Sequence, residues 1–194
     1  MAARYKNMTL DEVRADAFRR LAHGAAHRRS PFRAPALATA NGQGLPGVRT
    51  VVLRGFDPAT RTLTLHSDVR TAKIEEIRTE PRVVLHTWDG RGQVQVRVWG
   101  RAALRLGEAA RGDWSRLHPV SRTTYAVAPT PGTPLDDPAS ADQQRLPGSE
   151  AFLNFAVIEV VMDSLDWLHL ARTGHRRARF TWLGGMEIAN WLVP

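Results

Sequence analysis

The spacing of apolar residues changes several times along this chain, and each change marks an element. Leu10, Val13, Ala17, Phe18 and Leu21 recur at helical spacing. With the capping box Thr9-Leu10-Asp11-Glu12 ahead of them and Gly24 behind, they predict a helix over 9–24. Past Pro31 and Pro35 the period drops to two, first in Ala36-Leu37-Ala38-Thr39 and then, after a turn-rich stretch, in Val48-Arg49-Thr50-Val51-Val52-Leu53-Arg54. A turn at 57–60 leads into Leu63-Thr64-Leu65-His66, the second arm of a hairpin. Between Asp68 and Pro81 the pattern fits a short helix with Ile74 and Ile77 facing inward.

Strands resume at 82–88. After the turn Asp89-Gly90-Arg91-Gly92, Val94, Val96 and Val98 share one face of a further strand while Gln95, Arg97 and Trp99 share the other. A helix is expected over 108–117. The segment 119–148 carries six prolines and few apolar residues, and reads as a long binding arm, either mobile or laid across a partner subunit, and not as a domain linker. Strands return at 155–161, 165–170, 176–182 and, past Gly184-Gly185, at 187–193. About eight short strands against three helices predict a mainly β (α+β) fold, an antiparallel barrel with peripheral helices, as a single domain over 1–194.

Composition narrows the class. The chain has 194 residues, 43% hydrophobic and 24% charged, with no cysteine, which excludes collagen-like, coiled-coil and disulfide-scaffold chains. No apolar run spans a bilayer and no secretory core opens the chain, so a cytoplasmic protein without membrane partners is expected. The net charge of +8 rests almost wholly on arginine, since Lys6 and Lys73 are the only lysines. Such a balance suits polyanions or phosphate ligands. A nucleic-acid face would interleave those cations with exposed aromatics. The six tryptophans instead alternate with apolar neighbours, which argues against nucleic acid.

Candidate chemistry is sparse. There is no Gly-x-Gly-x-x-Gly, no P-loop and no His-Glu-x-x-His, and thiolate sites are impossible. His23 and His27 stand four apart without an evident carboxylate partner, so no metal is expected. What remains is Arg49 inside a strand, Ser67 after a strand and Lys73 at a helix start. Singly each reads as an ordinary surface group; together they make a candidate phosphate cradle.

Four segments in order carry a resemblance: Arg49-Thr50-Val51-Val52-Leu53-Arg54; Leu65-His66-Ser67-Asp68 through Thr71-Ala72-Lys73; Pro81-Arg82-Val83-Val84-Leu85; and Gln95-Val96-Arg97-Val98-Trp99-Gly100. With His175-Arg176-Arg177-Ala178-Arg179-Phe180 near the end, the chain resembles the pyridoxamine 5′-phosphate oxidase family, in particular its cyanobacterial-type FMN-binding branch. The resemblance implies an FMN-binding split barrel acting as a homodimer, with flavin sites at the subunit interface. On it, Arg49 and Lys73 bind the FMN phosphate with Ser67 assisting, and Thr50, Val51, Val52 and His66 line the flavin. Gln95 bonds the isoalloxazine edge, and Arg179 approaches from the other subunit.

Substrate positions depart from the family pattern. Arg54 stands where the family has a phosphate-binding lysine, and Arg177 falls in the closing substrate pair beside His175. Trp114, His118 and Arg122 replace a tyrosine, an arginine and a serine, and His169 replaces a flavin-contacting tryptophan. The expected function is an FMN flavoprotein oxidising or reducing a small molecule by hydride transfer at flavin N5. A pyridoxamine/pyridoxine 5′-phosphate oxidase and a non-catalytic flavin carrier are the alternatives.

Overall fold

The structure is a computed structural model that describes residue 5 and residues 7–140, 144–172 and 174–194. Positions 141–143 of the Pro-rich arm therefore lie outside the described residues.

Helix α1 spans Leu10–Ala26, with both halves of the Thr9/Glu12 capping box in place. It runs past Gly24, which was expected to end it. A Cβ at Gly24 would lie 2.6 Å from the Phe32 carbonyl oxygen, so this glycine serves the close approach of the following segment. Nine strands follow: β1 (Ala36–Ala40), β2 (Pro46–Thr50), β3 (Leu53–Asp57), β4 (Thr62–Asp68), β5 (Arg82–Asp89), β6 (Val94–Leu106), β7 (Phe155–His169), β8 (Arg176–Leu183) and β9 (Met186–Leu192). Among them lie α2 (Ala72–Thr79), α3 (Arg111–Arg116), α4 (Pro119–Arg122) and α5 (Gly148–Leu153).

All strand pairs are antiparallel, in the order β2-β1-β5-β6-β7-β4-β3, with β8 and β9 added beside β7. The two ends of this path, β2 and β3, are consecutive in sequence and separated only by Val51 and Val52. Two residues of extended chain reach about 10 Å, so the sheet must curl until its edges nearly meet. Val51 and Leu53 donate their N–H groups to the carbonyls of Pro35 and Arg33, pinning the crossing. β2 and β3 themselves do not pair, so the barrel is split. The run 48–54, read from its periodicity as one strand, is thus two strands on opposite edges.

The expected strands 155–161 and 165–170 are one continuous β7. Its first half pairs with β4 and its second half with β8 on the same side, while β6 lies along the other. The bend falls at a register shift beside Gly100, where a Cβ would meet the Val161 carbonyl oxygen at 2.3 Å. The main core fills the barrel with Leu37, Leu53, Leu65, Leu85, Val96 and their neighbours. A smaller core of Trp114, Tyr125, Phe152, Phe155 and others joins α3, α5 and the arm to the start of β7. No described helix is long and apolar enough to cross a membrane.

Candidate functional site

Arg49 and Lys73, placed far apart by sequence, converge at one end of the barrel. Arg49 lies on β2 opposite Leu37, and Gly47 lies opposite Thr39. The arginine folds back over Gly47, where a Cβ would stand 2.6 Å from Nη2. There it donates to the Thr39 hydroxyl and, over 2.9 Å, to the Glu76 carboxylate on α2; Thr39 in turn donates to Glu76. Lys73, in the first turn of α2, donates to the hydroxyls of Ser67 (3.2 Å) and Thr71 (3.0 Å). Burial, and next the nearby positive charge of Arg49, lower the Lys73 pKa.

The surroundings leave this cluster short of negative charge. Asp68 is held by Arg70 through two side-chain hydrogen bonds, at 3.0 and 2.7 Å, so Glu76 is the carboxylate bonded to a cradle cation, while Asp68 and Glu76 both act on Lys73 through space. Thr71 stands at the N-cap of α2, yet its hydroxyl donates to the Asp68 carbonyl and makes no cap bond; the Ile74 N–H is taken by the Thr71 carbonyl, which leaves the N–H groups of Ala72 and Lys73 as the helix-start donors for a ligand. Two cations, hydroxyls and an uncapped helix start fit a phosphate monoester. Arg70 also donates to the carbonyls of Val127 and Ala128, both at 2.9 Å, and so ties the arm to this loop.

His66 and Ser67 are neighbours on β4, and His66 faces away from the cradle. Its ring packs edge-on against Phe155 with centroids 4.9 Å apart, and its Nδ1 is buried without a hydrogen-bond partner. Burial first, then the charge of Arg54, bring its pKa down to about 4. It lines a cavity of about 460 Å³ together with Arg28, Arg33, Arg54, Asp113, His118 and Ser121 among others. Of the three residues read as replacing the family's phosphate grip, only His118 faces this cavity. Trp114 and Arg122 line a different cleft, because consecutive helical residues point about 100° apart; Asp113 and Ser121 take the facing positions.

A third cluster occupies the outer face of β6, β7 and β8. Asp166, fully buried, accepts hydrogen bonds from Arg97 (3.2 Å), Arg177 (3.0 and 3.2 Å) and Arg179 (3.2 Å). Arg97 and Arg179 both lie over the Trp99 ring, 5.1 and 5.5 Å from its centroid, and the Nε of each is buried without a partner. Gln95, on the same face, contacts the His86 ring nitrogen through its amide oxygen at 3.2 Å. Arg177 thus stands apart from Arg54 within the chain. Thr50 and Val52, exposed and half-buried, sit at the crossing between barrel edges, and the Val51 side chain is in the core. His169 is buried against Tyr5, with ring centroids 4.3 Å apart.

Sequence reasoning found the cations but missed Thr39, Thr71, Glu76 and Asp166. Asp166, a charge set between Leu165 and Trp167 in an apolar strand, was the one with a readable signal. Among the described residues no group of three or more His, Asp or Glu side chains is placed to hold a metal.

The fold is a split antiparallel barrel whose rim carries a cationic cluster, Arg49 and Lys73 with their hydroxyl partners, of a kind that suits a phosphate monoester. Residues 15–105 match the family described as pyridoxamine 5′-phosphate oxidase, FMN-binding domain, a match that supports FMN as the cofactor. Pyridoxine/pyridoxamine 5′-phosphate oxidase 2 of Arabidopsis thaliana is 29% identical over 149 residues, 69% of this chain and 72% of the plant protein. A pyridoxine/pyridoxamine 5′-phosphate oxidase of Rubrobacter xylanophilus is 42% identical over 66 residues, 34% of this chain and 30% of that protein. Among solved structures, a pyridoxamine 5′-phosphate oxidase-related FMN-binding protein of Nostoc punctiforme superposes with a TM-score of 0.77 at 22% identity, covering 92% of this chain and 96% of that one. PhzG of Burkholderia lata, solved with tetrahydrophenazine-1-carboxylic acid, gives a TM-score of 0.74 at 18% identity, covering 93% and 91%. These two likenesses are of fold.

Proposed function

We propose that the protein is an FMN-dependent oxidoreductase acting on a small anionic molecule, and that it works as a homodimer with flavin sites at the subunit interface. Bound FMN supplies a hydride acceptor at N5. Arg49 and Lys73 grip its phosphate, with Ser67 and Thr71 as hydroxyl partners. Thr50, Val51 and Val52 line the flavin where the chain crosses between barrel edges, with His66 from β4. Gln95 bonds the ring edge, and Arg179, together with Arg177 on the substrate side, comes from the partner subunit.

The observation that carries the reading is the pairing of cradle and cavity. Ser67 belongs to the cradle, and its neighbour His66 walls a cavity that collects Arg28, Arg33, Arg54 and Arg116 against the single carboxylate Asp113. A cavity of this charge favours a substrate bearing a phosphate or carboxylate, with Arg54 as its first partner. The neutral His66 ring serves as an uncharged wall.

The same charge favours, as a second reading, a phosphorylated pyridine alcohol or amine, the substrate class in the names of the plant and bacterial relatives. The test is anaerobic reduction of the FMN-loaded protein by pyridoxine or pyridoxamine 5′-phosphate. Loss of the flavin band near ~450 nm supports that reading. Bleaching only by other anionic donors supports the broader one. A flavin that no anionic donor reduces makes the protein a carrier and overturns both.

A further inference from the structure

We infer that the cleft between α3, the Pro-rich arm and α5 is a second binding site, separate from the flavin cradle and from the Arg54 cavity, for a small carboxylate with an apolar body. The cleft has a volume of about 750 Å³. This is the size range of sites for drug-sized molecules. Its walls are mostly apolar: Trp114, Ala126, Leu146 and Ala151.

Two arginines, Arg122 and Arg145, also line it. The Arg122 guanidinium lies over the Trp114 ring at 5.5 Å and donates to the Ser115 carbonyl at 2.8 Å. Its Nε is buried without a hydrogen-bond partner, and no carboxylate among the described residues pairs with it. The carboxylates on the neighbouring helical turns are engaged elsewhere, Glu108 by Arg111 and Asp113 by Arg105 and Arg116. A half-buried guanidinium without a counter-ion, set against apolar walls, calls for an anion whose body is apolar.

The cleft is also held open. Val127 and Arg145 form a β-bridge, flanked by hydrogen bonds from Ala128 N–H to the Gln144 carbonyl (2.9 Å) and from Leu146 N–H to the Ala126 carbonyl (2.7 Å). Arg145 donates to the Thr123 carbonyl at 3.0 Å. Arg70 anchors the outer side of this ribbon at Val127 and Ala128. A wall fixed by so many backbone bonds does not collapse onto Trp114, so a ligand meets a formed site. The helix separates the two ligands: Asp113 faces the Arg54 cavity and Trp114, the next residue, faces this one.

The test uses the FMN-loaded protein, with 2-naphthoate and the uncharged 2-naphthylmethanol as probes followed by calorimetry. Saturable binding of 2-naphthoate is expected, with Arg122→Gln weakening it about 10-fold or more, the scale of one hydrogen bond to a charged group. The alcohol should bind less tightly and be unaffected by Arg122→Gln. Ala126→Phe, which fills the cleft, should abolish binding of both while leaving the flavin spectrum and circular dichroism unchanged. No saturable binding, equal affinity in Arg122→Gln, or displacement of the flavin by 2-naphthoate overturns the assignment.

Discussion

Arg49 on β2 and Glu76 on α2 form an ion pair at 2.9 Å, and the carboxylate occupies the guanidinium that faces the phosphate cradle. Glutamine at this position keeps an acceptor for Arg49 and Thr39 but removes a negative charge from beside an incoming dianion. Glu76→Gln should therefore bind FMN two- to ten-fold more tightly at low ionic strength, about 0.5–1.4 kcal/mol, with the gain shrinking as salt is added. Quenching of flavin fluorescence in titrations at two salt concentrations measures it. Weaker binding at both would mean that Glu76 chiefly positions Arg49.

The Arg70 guanidinium joins the cradle loop to the arm through Asp68 and the carbonyls of Val127 and Ala128. Arg70→Gln cannot span these partners. It should cost about 1–3 kcal/mol of stability and speed proteolytic cleavage within the arm. FMN, by ordering the loop, should slow that cleavage in the wild type. Cleavage at an unchanged rate in Arg70→Gln would show that the arm is held by its apolar contacts alone.

His66 is held neutral by burial and by Arg54, with a pKa of about 4. Above the unfolded value near 6.5 the histidine is neutral in both states and contributes nothing to pH dependence. As pH falls below that value the unfolded chain takes the proton first, so stability declines until pH about 4 and is then flat. The loss is on the order of 2 kcal/mol after allowance for partial solvent screening. Urea unfolding at pH 7 and pH 4.5 should show this extra loss in the wild type but not in His66→Phe. A ring titrating near 6.5 by NMR would contradict it.

Asp166 is the single carboxylate among Arg97, Arg177 and Arg179. Removing it leaves three guanidinium groups packed together without a counter-charge. Asp166→Ala should cost about 3–5 kcal/mol in urea unfolding, partly recovered by adding Arg97→Met. A loss under about 1 kcal/mol would mean that the arginines simply swing into solvent.

Alternation and turn chemistry made most strands legible, because period two with β-branched residues is a local signal. The failures lie where pairing is not local. Val48 to Arg54 alternate as one strand, yet Arg49 pairs with β1 while Leu53 pairs with β4 at the other edge. Asp163 and Ser164 look like a turn between two strands, yet they continue β7 past the bulge in β6. The cradle cations were readable as charges in an apolar strand and at a helix start. Thr39 and Glu76, which complete the cradle, carry no such mark, since their proximity comes only from curling the sheet. Trp114 and Ser121 show the limit of matching positions by sequence: one residue of register on a helix decides which cavity a side chain meets.

The clasp on the FMN phosphate is tested most directly by comparing FMN with riboflavin, which lacks only that phosphate. Wild-type protein should bind FMN at least ~100-fold more tightly, and Arg49→Ala with Lys73→Ala together should bring the two ligands to within about three-fold, chiefly by weakening FMN. Equal affinities in the wild type, or a preference for FMN that survives the double substitution, would contradict it.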